Sequence, residues 1–309
     1  MQPLPARMLV KYMNWDDLKL FLAVSRQPKL ELAAASLKLD ATTLSRHLRR
    51  LETSLGKTLF ERTRRGHILT AQGEALLEHA EAMESATLAI QQASENEQDI
   101  SGKIRLGVTE GFGTAVIAPA IAQFHAQNPA VDIDLIALSG YVSVSKREAD
   151  MSILLARPQT GRLRVRKLTD YTLRLYASQS YLETHAPIRR IEDLSEHTLI
   201  GYVEDLIYAP QLRYFGDVLP GLHPQIASPS ILAQCEMTLA GTGVCILPKF
   251  LASHKPDLVE ILPEEIEVTR SFWMSVHEDV KDFARIRMMS EFLVVGSIKK
   301  EDIFKEFGK

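Results

Sequence analysis

The stretch Leu30–Glu61, LELAAASLKLDATTLSRHLRRLETSLGKTLFE, decides how the N-terminal part of this chain folds. Leu44, Leu48, Leu51 and Leu55 recur at spacings of four, three and four residues, which sets them on one apolar stripe of a helix. Thr42, Arg46, Arg49 and Arg50 fall largely on the opposite side. The preceding segment supplies Leu30, Ala33, Ala34 and Leu37, small and apolar residues that let a second helix cross closely, and Asp40 stands where it can cap the leucine helix. Two helices around a tight turn, with the second one basic on its outer face, form the pattern of a helix-turn-helix that enters a DNA major groove. Residues 41–70 carry seven Lys or Arg against two acids, while the whole chain stands at −3. Such a local excess is an electrostatic footprint for phosphate.

An arginine-rich helix face by itself is more often plain solvated surface. Here it is followed by a second basic cluster, Arg62-Thr63-Arg64-Arg65-Gly66-His67, and then by Ile68-Leu69-Thr70. A charged turn between short extended pieces is how a winged helix-turn-helix sends a β-hairpin toward the minor groove or the backbone.

With Trp15-Asp16-Asp17-Leu18, Phe21, Ala33-Ala34, Leu37, Leu44-Ser45-Arg46, Leu51-Glu52, Leu55-Gly56, Leu59-Phe60-Glu61-Arg62 and Leu69-Thr70-Ala71-Gln72-Gly73, the chain resembles the N-terminal domain of LysR-type transcriptional regulators. The match runs from Trp15 to Gly73 without a gap. It departs at Pro28-Lys29, where the family usually opens the first helix of the motif with a Gly-Ser pair. Proline suits a helix start, and Lys29 can still meet phosphate as a point charge. The resemblance implies a DNA interface of Lys29, Thr42, Thr43, Ser45, Arg46, His47, Arg49, Arg50, Arg62, Arg64 and Arg65. Thr42, Thr43 and Arg46 are expected at base edges, and the others should mostly position the protein.

At 309 residues with 46% hydrophobic content, the chain is long enough for two or three domains with their own cores. No run approaches the roughly eighteen apolar residues of a membrane span, and the first residues lack a signal-peptide core. Two cysteines, Cys235 and Cys245, fit a reducing compartment, which the resemblance narrows to a bacterial cytoplasm. Residues 1–12 have no helical period and read as a disordered extension, with Met13 opening the folded protein.

The DNA-binding domain is expected over 13–70 and a linker helix over 71–97. Along that helix Leu76, Ala80, Met83, Thr87 and Ile90 alternate at four and three residues, a heptad seam for dimerisation. Two heads on a two-fold axis would read an interrupted palindrome. The family implies a tetramer, with promoter DNA as ligand and RNA polymerase as a candidate partner.

Residues 98–309 alternate strands and helices. Lys103–Val108 and Val131–Leu138 read as parallel strands around a helix from about Ala115 to Gln127, and residues 147–150 as a short helix before a third strand. Leu163–Leu168 and Leu173–Ala177 read as two further strands. Ser228-Pro229-Ser230 opens a helix that ends at Gly241-Thr242-Gly243, and Trp273–His277 is a late strand. The alternation resembles the family's effector domain, built like a periplasmic binding protein. Lobe I is expected over about 103–176 and 273–309, and lobe II over about 177–272. The fold class expected is therefore α/β with an N-terminal winged helix-turn-helix, a long linker helix and a two-lobed effector domain.

Ligands of such sheets bind beyond the carboxyl ends of parallel strands. The candidate effector residues are Thr109, Glu110, Gly111, Phe112, Ser139, Gly140, Tyr202, Ser228, Pro229 and Leu247. Glu110 departs from relatives that bind anionic effectors at this position, since a carboxylate there would repel one. No separate cofactor or metal is expected beyond the effector. There is no Gly-x-Ser-x-Gly, His-Glu-x-x-His or phosphate-binding glycine loop, and the histidines lack metal spacing. Cys235 and Cys245 sit among apolar neighbours and read as buried, inert thiols. Two other readings stand beside the regulator: a small-molecule binding protein whose front helices serve assembly only, and an enzyme with a grafted DNA-binding domain.

Overall fold

A computed structural model describes residues 13–64, 66–93, 100–140, 144, 148–218 and 220–299. The expected extension over 1–12 and the wing residue Arg65 lie outside the described residues. The chain divides into two compact units, Met1–Ser94 and Glu95–Lys309.

In the first unit, α1 (Trp15–Arg26), α2 (Leu30–Ser36) and α3 (Ala41–Leu55) precede a hairpin of β1 (Phe60–Thr63) and β2 (Gly66–Leu69), and α4 (Ala71–Ala93) follows. Asp40 caps α3 as its side chain accepts from the Thr43 amide at 2.8 Å. The leucine stripe Leu44, Leu48 and Leu51 is buried against Leu18, Phe21, Leu22, Val24, Ala33 and Ala34, with Leu55 at the margin. Pro28 is not the first residue of α2. The cap is Lys29, which makes no side-chain capping bond, and the Pro28 carbonyl instead accepts from the His67 amide at 2.9 Å. Gly66 sits at φ +113, and a Cβ there would lie 2.4 Å from that same carbonyl, so only glycine lets the wing close on the α1–α2 turn.

α4 departs from the expected seam. Ala80 is fully buried in the head's own core, with Leu76 and Leu77 packed against it. Arg26 of α1 grips Glu84 through both carboxylate oxygens. The first turns of the helix thus spend their apolar positions on α1. Of the seam residues Met83 (44% exposed) and Ile90 (70% exposed) face outward, and Thr87 is half-buried.

The second unit begins with β3 (Gly102–Thr109), parallel to β4 (Val131–Leu138) on one side and to β5 (Met151–Leu154) on the other. Between β3 and β4 run α5 (Glu110–Phe112), a π-helical turn (Gly113–Ile117) and α6 (Ala118–Gln127). The helix therefore starts directly at Glu110, not near Ala115. Gly111 suggests a loop by residue type, but its small size serves proximity: a Cβ there would stand 2.8 Å from the Ile231 side chain. Residues 148–150 form bends and a connecting residue, not the short helix expected there.

After β5, the single strand β6 (Leu163–Ser178) replaces the two strands expected. α7 (Gln179–Thr184), β7 (Leu199–Gly201), α8 (Tyr214–Val218), β8 (Ile226–Ala227), α9 (Ile231–Leu239), β9 (Val244–Pro248), α10 (Lys249–Ala252), β10 (Leu258–Ile261), β11 (Val268–His277) and α11 (Ala284–Lys299) complete the chain. The strand order is β4-β3-β5-β11-β6-β9-β7-β8, with β10 also paired to β6. β6 pairs with β11 over residues 163–173 and then with β9 and β10 over residues 173–178. These two antiparallel strands carry the chain from one lobe to the other. Residues 173–176 consequently belong with lobe II, earlier than the border at 176. β11 carries a bulge between Phe272 and Trp273, opposite Thr169 and Lys167 of β6, next to the cavity-lining ring of Phe272.

Candidate nucleic-acid interface and effector cleft

On α3, Thr42, Arg46 and Arg49 are exposed, and Thr43 and Ser45 are half-buried. Thr42, Ser45, Arg46 and Arg49 share one hollow of about 420 Å³ with Leu30 and Ala41, the first residues of α2 and α3. A second hollow of about 150 Å³, between α3 and the hairpin, joins Ser45 and Arg49 to Arg62 and His67. Arg62 approaches Ser45 Oγ at 3.5 Å, and Arg64 and Lys29 are exposed. Recognition helix and wing thus present their polar groups on one concave face, with the leucine stripe behind it.

Arg50 and His47 differ from expectation. Asp17 of α1 is buried, at 2% exposure, and its carboxylate accepts from Arg50 Nε at 2.7 Å and from Arg50 Nη2, with His47 Nδ1 2.7 Å away. Both side chains are thereby spent on bracing α3 against α1. Burial pushes the Asp17 carboxyl up, but the hydrogen bonds from Arg50 and His47 outweigh it and hold the group below its ordinary value. A carboxylate depressed in the folded state contributes stability above its unfolded value, near pH 4, and loses it as pH falls through the folded value. Asp17→Asn is expected to cost the head about 1–3 kcal/mol at neutral pH. That gap from the wild type should close on acidification below about pH 4, as followed by thermal melts of the two proteins across pH. A gap of constant size down to acid pH would contradict the assignment.

In the second unit the lobes meet over a small cavity of about 40 Å³. Thr109, Glu110, Gly111 and Phe112 enter it from the end of β3, Ser139 from beyond β4, and Tyr202 and Pro229 from lobe II. Three expected residues are absent from its wall. Leu247 is fully buried in β9, where strand alternation turns it away and its neighbour Pro248 faces the cavity. Ser228 is used locally: its hydroxyl accepts from the Ser230 amide and its carbonyl from Gln234 Nε2. Gly140 stands beyond the wall.

Sequence reasoning missed the aromatic lining. Phe272 stacks on Phe112 and Tyr171 with ring centroids 4.1 and 4.3 Å apart, and Phe250 packs edge-on to Phe112 and Tyr171. Tyr208 and Tyr214 add to the lobe II side, where the Tyr214 hydroxyl donates to the Ile246 carbonyl at 3.3 Å. Burial drives the Tyr171, Tyr202 and Tyr214 hydroxyls upward and pushes Tyr208 up to about 12, with the Glu110 charge adding to the effect on Tyr202 and Tyr208.

Glu110 joins the lobes. Its carboxylate accepts from Ser230 Oγ at 3.0 Å and from the Ile231 amide at 3.1 Å, at the N-terminus of α9. The α9 cap is thus shared between the Ser230 side chain, which accepts from the Ala233 amide, and a carboxylate from the opposite lobe. Elsewhere Cys235 and Cys245 are buried, and burial raises both thiols, Cys235 to about 11, so both stay protonated at neutral pH. Among the described residues no group of three or more His, Cys, Asp or Glu could hold a metal ion, and no helix is long and apolar enough to cross a membrane.

A head with a basic concave face, followed by a two-lobed domain closing on a cavity, defines a ligand-responsive DNA-binding regulator. Residues 15–74 match the family described as bacterial regulatory helix-turn-helix protein, lysR family, and residues 97–294 match the LysR substrate binding domain. The chain belongs to the LysR family and is a LysR-type transcriptional regulator with an effector-binding domain. It is 27% identical over 270 residues to the Mau operon transcriptional activator of Paracoccus denitrificans, covering 87% of this chain and 92% of that protein. It is 25% identical over 297 residues to the regulator CrgA of Neisseria meningitidis, covering 91% and 96%. Among solved structures, a full-length single-site variant of OxyR from Pseudomonas aeruginosa superposes with a TM-score of 0.65 at 18% identity, covering 92% of this chain and 97% of that one. AphB of Vibrio cholerae gives 0.61 at 20% identity, covering 92% and 99%. At these identities the superpositions show the fold.

Proposed function

We propose that this regulator binds promoter DNA as an oligomer through the concave face of α3 and the hairpin, and that a small molecule in the cleft sets the relation between its heads. Thr42, Thr43 and Arg46 read base edges, while Ser45, Arg49, Lys29, Arg62, Arg64 and Arg65 meet the backbone. His47 and Arg50 hold the helix in place from behind. The observation that carries this reading is the exposure of Thr42, Arg46 and Arg49 directly opposite the buried leucines. The exposed apolar residues Met83 and Ile90 of α4 are the surface that a second copy's linker helix would cover. We place the protein in the bacterial cytoplasm, at promoters served by RNA polymerase, as a tetramer that performs no catalysis.

Sites protected by the protein on its own genome supply the specific duplex for the test. Arg46→Ala should cost about 1–3 kcal/mol on that duplex and relax discrimination against base changes, whereas Arg64→Ala should weaken all duplexes alike. Equal losses on specific and scrambled DNA for both variants would undo the division of roles.

A further inference from the structure

The cleft holds one ionisable carboxylate and, among the described residues, no Lys, Arg or His in its wall. Around it stand Tyr171, Tyr202 and Tyr208, whose ring faces carry partial negative charge, while the faces of Phe272 are taken by Phe112 and Tyr171. The place an anion would take, the N-terminus of the nine-residue α9, is already filled by the tethered Glu110 carboxylate. An incoming anion would have to displace that carboxylate or sit beside it, with no cation of the described wall to offset the repulsion. Arg270, whose charge reaches Tyr171 and Tyr214, donates to the carbonyls of Gln211 and Thr269 and lies outside the wall.

We propose that the effector of this protein is a small organic cation, an alkylammonium, held by Glu110 against the tyrosine faces of the cleft. The proposal rests on the reading that the effector binds between the lobes. A carboxylate has about four acceptor positions, and two of Glu110's are taken by Ser230 and Ile231, leaving the others for ammonium N–H groups. Aromatic faces add cation–π attraction that strengthens as water is excluded. A cavity of about 40 Å³ accommodates roughly three water-sized groups, which sets the scale of the ligand as long as the lobes stay closed. Because Glu110 belongs to lobe I and its partners to lobe II, a cation bound to it favours the closed arrangement over an open one.

The test uses the full chain and calorimetry. The probes are chlorides from ammonium through methyl-, ethyl- and trimethyl- to tetramethylammonium, together with sodium acetate and propionate at matched ionic strength. One or more cations should bind the wild type while the carboxylates do not, and Glu110→Gln should weaken the best cation at least about tenfold. Glu110→Asp keeps the charge at a shorter reach, so it should retain the preference for cations with a changed size optimum. It decides the case if Glu110→Gln fails to fold. No binding by any cation, unchanged cation affinity in Glu110→Gln, or tighter binding of acetate or propionate would overturn the proposal. Duplex DNA binding by the same samples separates the two readings. DNA binding without cation binding defeats this inference alone, and cation binding without DNA binding defeats the proposed function.

Discussion

Between about 50 and 200 mM salt, the affinity of the protein for duplex DNA, with two heads engaged, is expected to fall by roughly 10³–10⁵-fold. Each head offers exposed Lys29, Arg49, Arg62 and Arg64 to the backbone. Two heads on one site therefore neutralise on the order of six to ten phosphates, and each releases condensed counterions whose entropy gain shrinks as salt rises. The chain is acidic overall, at −3, so this dependence cannot come from its average charge and reports the local face. Fluorescence anisotropy of a labelled duplex across a salt series gives the slope of log affinity against log salt. A slope near zero would mean that the head is a scaffold, and the DNA-binding reading would fail with it.

Phe21→Ala is expected to cost the head about 3–5 kcal/mol. The ring is fully buried, lies 5.3 Å from Phe60, and joins α1 to the hairpin through the same core that receives Leu44 and Leu51. A small unit has a net stability of only about 5–15 kcal/mol, so losing this ring and leaving a cavity brings the head close to unfolding. The change touches nothing in the second unit's core. Calorimetry should show the head's transition lost or displaced to low temperature, specific DNA binding abolished, and the second unit melting as in the wild type. A loss below about 1 kcal/mol would show that the core closes around the vacancy.

Much of the head was legible because its contacts are local. The spacing of Leu44, Leu48 and Leu51 and the Asp40 cap act within a few residues, and the helix period exposes them directly. The seam on α4 was legible as a pattern but not as a destination. Leu76 and Ala80 fit a partner's helix and their own head equally well by spacing, and the proximity of α1 awarded them to the head. Arg50 and His47 read as members of the basic face until Asp17, far away in sequence, reached them.

In the second unit the strand and helix alternation fixed the architecture in outline, while the cavity was almost invisible. Phe112, Tyr171, Tyr208, Phe250 and Phe272 come from distant segments, and no periodicity links residues that meet only when β6 and β11 cross between the lobes. The sequence alone determined two things: a leucine-backed basic helix with its wing, and an alternating α/β domain behind it, because local spacing and composition encode both. Only the tertiary structure decided what Glu110 does. A lone acid after a strand reads as a repelling charge, and it became a bond across the cleft because long-range packing set the first amide of α9 within its reach.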